Sequence, residues 1–202
     1  MLIDNKIISV LTIKDYKKSL DLAKCLYDSG IVNLDIRLRT KQSKKAIELI
    51  RNSSYQFNIG VGTVLSLEDL YFVKSLGIKY AYSPNTDVKI LNNANKLDIQ
   101  FIPGISNIDN LISAAKCNCK YLKYYPAEKS GGVSNLDLII AKSKIKNLKF
   151  IAMGGITSIN IKPYLKHKKI IGIGTSWIAE ESLIDSSNWK EISKRASVLL
   201  GL

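Results

Sequence analysis

Apolar residues in this chain collect in short, regularly spaced runs, and between the runs they recur at helical spacing. The runs are Ile7–Leu11, Asn33–Leu38, Phe57–Val61, Tyr80–Ser83, Gln100–Pro103, Tyr121–Tyr125, Lys149–Ala152 and Ile170–Ile173. Short, mostly continuous apolar runs suit strands covered on both faces. In the first intervening segment Tyr16, Leu20, Ala23 and Leu26 fall on one helical face, and Gly30 supplies a stop. Other segments open on the cap patterns Ser66-x-x-Asp69, Ser106-x-x-Asp109 and Asn188-x-x-Glu191. There a short polar side chain can accept an N–H group that the first helical turn leaves free. Eight strand–helix units in succession predict a parallel sheet, and a single (β/α)8 TIM barrel over residues 1–202 is the architecture that closes it.

Composition narrows the class. With 202 residues, 46% of them hydrophobic, the chain can bury a core without a disulfide or metal staple. No window approaches the ~20 apolar residues of a membrane-spanning helix, and Met1–Lys6 carries an acid in place of a long apolar run. A cytoplasmic protein without a membrane partner is expected. Cys25, Cys117 and Cys119 are odd in number, and a C-x-C pair lacks the spacing of zinc and redox motifs, so reduced thiols are expected.

The net charge of +13 points to anions: nucleic acid, anionic lipid or phosphorylated metabolites. The charge is diffuse, however, because Arg37, Arg39, Arg51 and Arg195 are the only arginines and the lysines are spread along the whole chain. Neither a nucleic-acid motif nor a basic stripe interleaved with aromatics accompanies them, so no nucleic-acid partner is expected. The single histidine, His167, lies in the charged connection Tyr164–Lys169 and is expected to face solvent. That argues against a multi-histidine zinc site and a histidine-based nucleophilic pair. Proton transfer in an enzyme of this composition falls to lysine, carboxylate and hydroxyl groups.

A barrel of this kind directs attention to the C-terminal ends of its strands. In Tyr121-Leu122-Lys123-Tyr124-Tyr125-Pro126-Ala127-Glu128, alternation aims Lys123 into the interior beside two tyrosines. Burial there disfavours the ammonium, and a second cation would lower its pKa further, giving an amine able to attack a carbonyl. A solvated lysine on a strand of a lysine-rich chain is the plainer alternative. In the second strand Asp35, Arg37 and Arg39 share one face, opposite Leu34, Ile36 and Leu38, as a working constellation or as an architectural ion pair. The seventh and eighth strands end in Ala152-Met153-Gly154-Gly155-Ile156-Thr157 and Gly172-Ile173-Gly174-Thr175-Ser176-Trp177. Glycines there allow close backbone approach to an anion, at the place where barrels commonly hold phosphate.

Taken in order, these segments resemble the class I 2-keto-3-deoxy-6-phosphogluconate (KDPG) and 4-hydroxy-2-oxoglutarate (KHG) aldolases. The resemblance rests on Leu38-Arg39-Thr40, Gly60-Val61-Gly62-Thr63-Val64-Leu65, Ser83-Pro84, Ile102-Pro103-Gly104-Ile105-Ser106, Lys123–Glu128, Gly131-Gly132-Val133, Gly154-Gly155-Ile156 and Ser176-Trp177, which run over nearly the whole chain. It implies that Lys123 forms an imine with a 2-keto acid, the protonated imine acting as electron sink while the bond between C3 and C4 breaks. It implies that Arg39 and Thr63 hold the substrate carboxylate, that Tyr125 packs over the pyruvyl unit, and that Pro84 shapes the pocket. Gly154, Gly155, Gly174, Thr175 and Ser176 are implied to receive a phosphate at the aldehyde end. No cofactor and no metal are implied, the partner being a small, phosphorylated 2-keto acid, and relatives of this kind are typically homotrimers.

Three positions depart from that pattern. Asp35 stands where these aldolases carry a proton-shuttling glutamate, which draws the carboxylate back by ~1.5 Å. Transfer through an ordered water, slower transfer and a different base are the readings this leaves open. Arg37 replaces a small hydroxylated residue, and pairing with Asp35 is expected to lower the carboxyl pKa. Met153 stands where a threonine commonly lies near the aldehyde, exchanging a hydroxyl for an apolar contact. Beside the aldolase reading stand a divergent barrel that binds pyruvate or phosphate without turnover and, on charge alone, a nucleic-acid-binding barrel.

Overall fold

Parallel strands form a single sheet in the computed structural model, which describes residues 5–202. They are β1 (Ile7–Leu11), β2 (Asn33–Arg37), β3 (Asn58–Gly62), β4 (Tyr80–Tyr82), β5 (Gln100–Ile102), β6 (Gly104–Ile105), β7 (Tyr121–Tyr124), β8 (Lys149–Met153) and β9 (Ile170–Thr175). The sheet order is β5-β4-β3-β2-β1-β9-β8-β7-β6, so its two ends are neighbours in the chain, separated by Pro103. Proline has no N–H to give to a ladder. The expected fifth strand is therefore split: β5 pairs with β4, and β6 pairs with β7. The Pro103 carbonyl still accepts the Lys123 N–H at 2.8 Å, which draws the ends together into a nearly closed (β/α)8 barrel.

The continuous apolar runs have a direct cause. On β1, Ile7 and Leu11 face the helices while Ile8 and Val10 face the barrel interior, and all four are buried. The interior cluster consists of Ile8, Val10, Tyr82, Ile102, Ile151 and Met153, with Tyr121, Tyr125 and Ile171 against it. Each such buried aliphatic side chain contributes about 1.5–3 kcal/mol. Around the strands lie α1 (Ser19–Asp28), α2 (Ser43–Arg51), α3 (Leu67–Ser75), α4 (Val88–Lys96), α5 (Ile108–Lys116), α6 (Gly132–Ser143), α7 (Lys162–Lys166), α8 (Glu181–Asp185) and α9 (Trp189–Leu200). Among the described residues no helix is long and apolar enough to cross a membrane.

Caps and faces follow the sequence with three corrections. Ser66 Oγ accepts the Asp69 N–H at 3.1 Å, and Asn188 Oδ1 accepts that of Glu191 at 3.2 Å, both as expected. α5, however, is capped by Asn107, which accepts the Asn110 N–H at 2.9 Å, one residue beyond Ser106. Asparagine caps as well as serine, and the two overlapping patterns cannot be separated by residue type. In the first helical segment Leu22, Ala23 and Leu26 are buried while Leu20 is 45% exposed. A 3₁₀ turn at Tyr16–Lys18 precedes α1, whose buried face is set by Ser19, Leu22, Ala23 and Leu26, and Leu20 lies at the edge of that face. His167 does not face solvent freely: its side chain is 13% exposed and Nε2 lies 2.9 Å from Asp137 Oδ1. The three cysteines are unpaired, and burial pushes the Cys119 thiol up to about 11.

Candidate active site

Asp35 points from β2 into the barrel and is fully buried, with no hydrogen-bond partner for either carboxylate oxygen. Its room is provided by the next strand, where Gly62 sits in register with Arg37 and a Cβ would overlap Asp35 Oδ1. Burial pushes the Asp35 carboxyl above its ordinary range, against the attraction of Lys123, Arg37 and Arg39. The expected Asp35–Arg37 pair is not formed, because Asp35 Oδ1, Asp35 Oδ2 and Arg37 Nε all lack partners. Residues two apart on a strand rise by roughly 6.6 Å, which carries Arg37 to the barrel mouth while Asp35 stays below. Gly62→Ala is expected to displace the carboxyl, lowering kcat about 100-fold and stability by about 1–3 kcal/mol. Steady-state kinetics and thermal melting of the purified variant check both.

Lys123, on β7, is 5% exposed, and its Nζ lies 4.8 Å from the Tyr125 ring centroid. Burial lowers its pKa; Arg37 and Arg39 push in the same direction, and Asp35 opposes them. Lys123 and Asp35 are thus both displaced toward their neutral forms. A low-dielectric interior produces this for any ionisable group, but here an amine and a carboxyl lie close enough to act on one another's charge.

Lys123, Tyr125, Arg37, Arg39 and Met153 line a cavity of about 270 Å³ at the C-terminal ends of the strands. A larger hollow of about 500 Å³ opens at the opposite end, among Lys79, Gln100 and Lys120. The smaller cavity is the candidate site, since the perturbed lysine opens into it. Gly154, Gly155 and Gly174 complete its wall. Gly154 (φ 100°) and Gly155 (φ 80°) adopt left-handed backbone, and a Cβ at Gly155 would press on Glu128 Cβ at 2.9 Å. The Tyr164 hydroxyl holds Glu128 Oε1 in that position.

The remaining candidates fall into distinct places. Ser176 is exposed on the wall, whereas the Thr175 hydroxyl donates to Ile156 O at 2.6 Å and accepts the Trp177 N–H at 3.0 Å, fastening the two loops together. Pro84 is outside the wall, its carbonyl held where a Cβ on Gly104 would overlap it. Thr63 is also outside the wall, but its Oγ1 accepts a hydrogen bond from Arg39 Nε at 3.3 Å. Thr63 has φ 61°, a strained conformation for a β-branched residue. Thr63→Gly is expected to raise stability by about 1 kcal/mol while raising KM for pyruvate, opposite effects that melting and kinetics read separately.

Sequence reasoning missed Val10 and Glu180 and gave Trp177 no role, although all three line the cavity. Val10 looks like any strand residue. Trp177 and Glu180 are held by Arg195, 5.0 Å from the Trp177 ring and 3.2 Å from Glu180, a link across distant segments that no local pattern signals.

The cavity thus joins a buried lysine of lowered pKa, an arginine-lined mouth and paired glycine loops at the strand ends of a (β/α)8 barrel. The family model described as KDPG and KHG aldolase matches residues 1–195. The chain is 33% identical to the 2-dehydro-3-deoxy-phosphogluconate aldolase of Pseudoalteromonas atlantica, over 94% of this chain and 87% of that one. It is 30% identical to the KHG/KDPG aldolase of Escherichia coli, over 94% and 88% respectively. Its fold matches that of Legionella pneumophila KDPG aldolase with pyruvate captured as a covalent carbinolamine, with a TM-score of 0.90 and 31% identity over 96% of this chain and 93% of that one. The chain belongs to the KDPG and KHG aldolase family and is an aldolase, a carbon–carbon lyase.

Proposed function

We propose that the chain cleaves 2-keto-3-deoxy-6-phosphogluconate to pyruvate and glyceraldehyde 3-phosphate through an imine on Lys123. The observation that carries this reading is the place of Lys123, buried in the barrel yet opening on one cavity wall with Arg39, Tyr125 and the glycine loops, where burial lowers its pKa. Arg39 meets the substrate carboxylate with its planar fork, its Nε steadied by Thr63. The Lys123 amine attacks the C2 ketone, and the carbinolamine loses water to an imine. Asp35, raised in pKa and free of other partners, gives its proton to the departing water and, now a carboxylate, takes the proton of the C4 hydroxyl, directly or through one water. The C3–C4 bond then breaks, its electrons pass into the protonated imine, and the aldehyde leaves. Protonation of the enamine at C3 and hydrolysis return pyruvate and free lysine. Tyr125 covers the pyruvyl unit, and Gly154, Gly155, Gly174 and Ser176 receive the phosphate.

The test compares initial rates of pyruvate release from KDPG and from 4-hydroxy-2-oxoglutarate, each coupled to NADH oxidation by lactate dehydrogenase. A higher kcat/KM for KDPG is expected. Preference for the dicarboxylate would replace the phosphorylated substrate with the KHG reading, and absence of release from both would leave a binding protein. An Asp35–Arg37 ion pair, which would take the carboxyl out of proton transfer in such a protein, is not formed.

A further inference from the structure

Arg37 lines the cavity beside Lys123, yet no ion pair or side-chain hydrogen bond ties its guanidinium to a described residue, and its Nε is closed off from solvent without a partner. A half-buried cation left unneutralised costs free energy unless something else meets it. The carboxylates around the mouth are engaged elsewhere: Glu180 with Arg195 at 3.2 Å, and Glu181 with Lys14 at 3.1 Å. Asp35 lies lower in the barrel with both oxygens unpartnered.

The two arginines share the mouth but differ in their partners. Arg39 reaches toward β3, where it meets Thr63. Burial and the Arg39 charge lower the Arg37 pKa most and Asp35 opposes them, with smaller attractions from Glu181 and Tyr125, on the loop side of β9 and β7. That is the side on which Gly154, Gly155 and Gly174 line the wall. A 2-keto acid held by Arg39 at its carboxylate and by Lys123 at C2 would therefore extend its aldehyde half past Arg37.

We infer that Arg37 receives an anionic group on the aldehyde half of the substrate, and so sets how strongly this site favours an anionic aldehyde over a neutral one. This inference rests on the lysine-centred aldolase chemistry proposed above. The anion is a carboxylate close to the reacting carbon or a phosphate farther out, and a guanidinium fork suits both.

Aldol addition of pyruvate to glyoxylate, to glyceraldehyde 3-phosphate and to neutral glyceraldehyde, by wild type, Arg37→Gln and Arg37→Lys, tests it. Removing Arg37 also alters the Lys123 amine, but equally for every aldehyde, so the ratio of kcat/KM for an anionic to the neutral aldehyde cancels that change. The ratio is expected to fall about 10- to 100-fold in Arg37→Gln, the loss of a charge-assisted hydrogen bond, and to recover in part in Arg37→Lys. The arm that falls, glyoxylate or glyceraldehyde 3-phosphate, identifies the anion. A ratio unchanged in both anionic arms overturns the inference and leaves the aldolase chemistry intact. A wild-type protein that traps no pyruvate imine overturns both.

Discussion

Lys123→Met is expected to abolish imine formation with pyruvate and to lower retro-aldol turnover by roughly 10⁴- to 10⁶-fold, the scale on which removal of a covalent nucleophile acts. Methionine keeps the length and apolar stem of the side chain, so the barrel interior around Tyr121 and Tyr125 stays filled. The same substitution is expected to raise the melting temperature at neutral pH. Burial holds the folded-state lysine below its ordinary 10.5, so the folded protein binds that proton less readily than the unfolded chain. The resulting cost develops as pH falls through 10.5 toward the folded pKa, and is complete below it. Methionine removes it, and each kcal/mol recovered shifts Tm by about 2–4 °C in a chain of this size. Calorimetry at two pH values, beside the kinetic assay, checks that lost activity is not lost fold.

Asp35→Asn is expected to lower kcat about 10²- to 10⁴-fold, the contribution of a positioned acid–base group, while pyruvate still forms its imine. The pH profile supplies a second readout with a definite sign. The Asp35 charge favours the ammonium form of Lys123 and so holds its pKa up. Its removal moves the acid limb of imine formation to lower pH, and a shift to higher pH would contradict the coupling. For stability the direction follows from burial: the folded Asp35 carboxyl holds its proton above the ordinary 3.8. Its contribution is fully present below that value and is lost as pH rises through the folded pKa. Asp35→Asn is therefore expected to stabilise at neutral pH and to lose that advantage in acid.

Much of the barrel was legible because parallel strands covered on both faces must be apolar at nearly every position, as β1 is from Ile7 to Leu11. The division at Pro103 was hidden by that same continuity, since a missing N–H does not interrupt a hydrophobic run. Lys123 could be placed in the interior from alternation alone, because side chains along a strand point to its two faces in turn, and its partner in register on β8, Ile151, is an interior residue. The relation of Asp35 to Arg37 was misjudged for a geometric reason: a shared face does not bring residues two positions apart into contact, and Gly62 gives Asp35 a different place to lie. Arg195 and its hold on Trp177 and Glu180 join a helix near the C-terminus to the loop after β9, a contact set by tertiary packing. His167 shows the same limit, its partner Asp137 lying 30 residues away on α6.

Borohydride reduction in the presence of pyruvate, followed by intact and peptide mass spectrometry, is the most direct test of the Lys123 imine. Reduction converts the imine to a stable secondary amine on whichever lysine formed it. One adduct per chain, confined to the peptide bearing Lys123 and absent from Lys123→Met, is the expected result. No adduct, or label scattered over the many other lysines, would contradict the assignment of Lys123 as nucleophile.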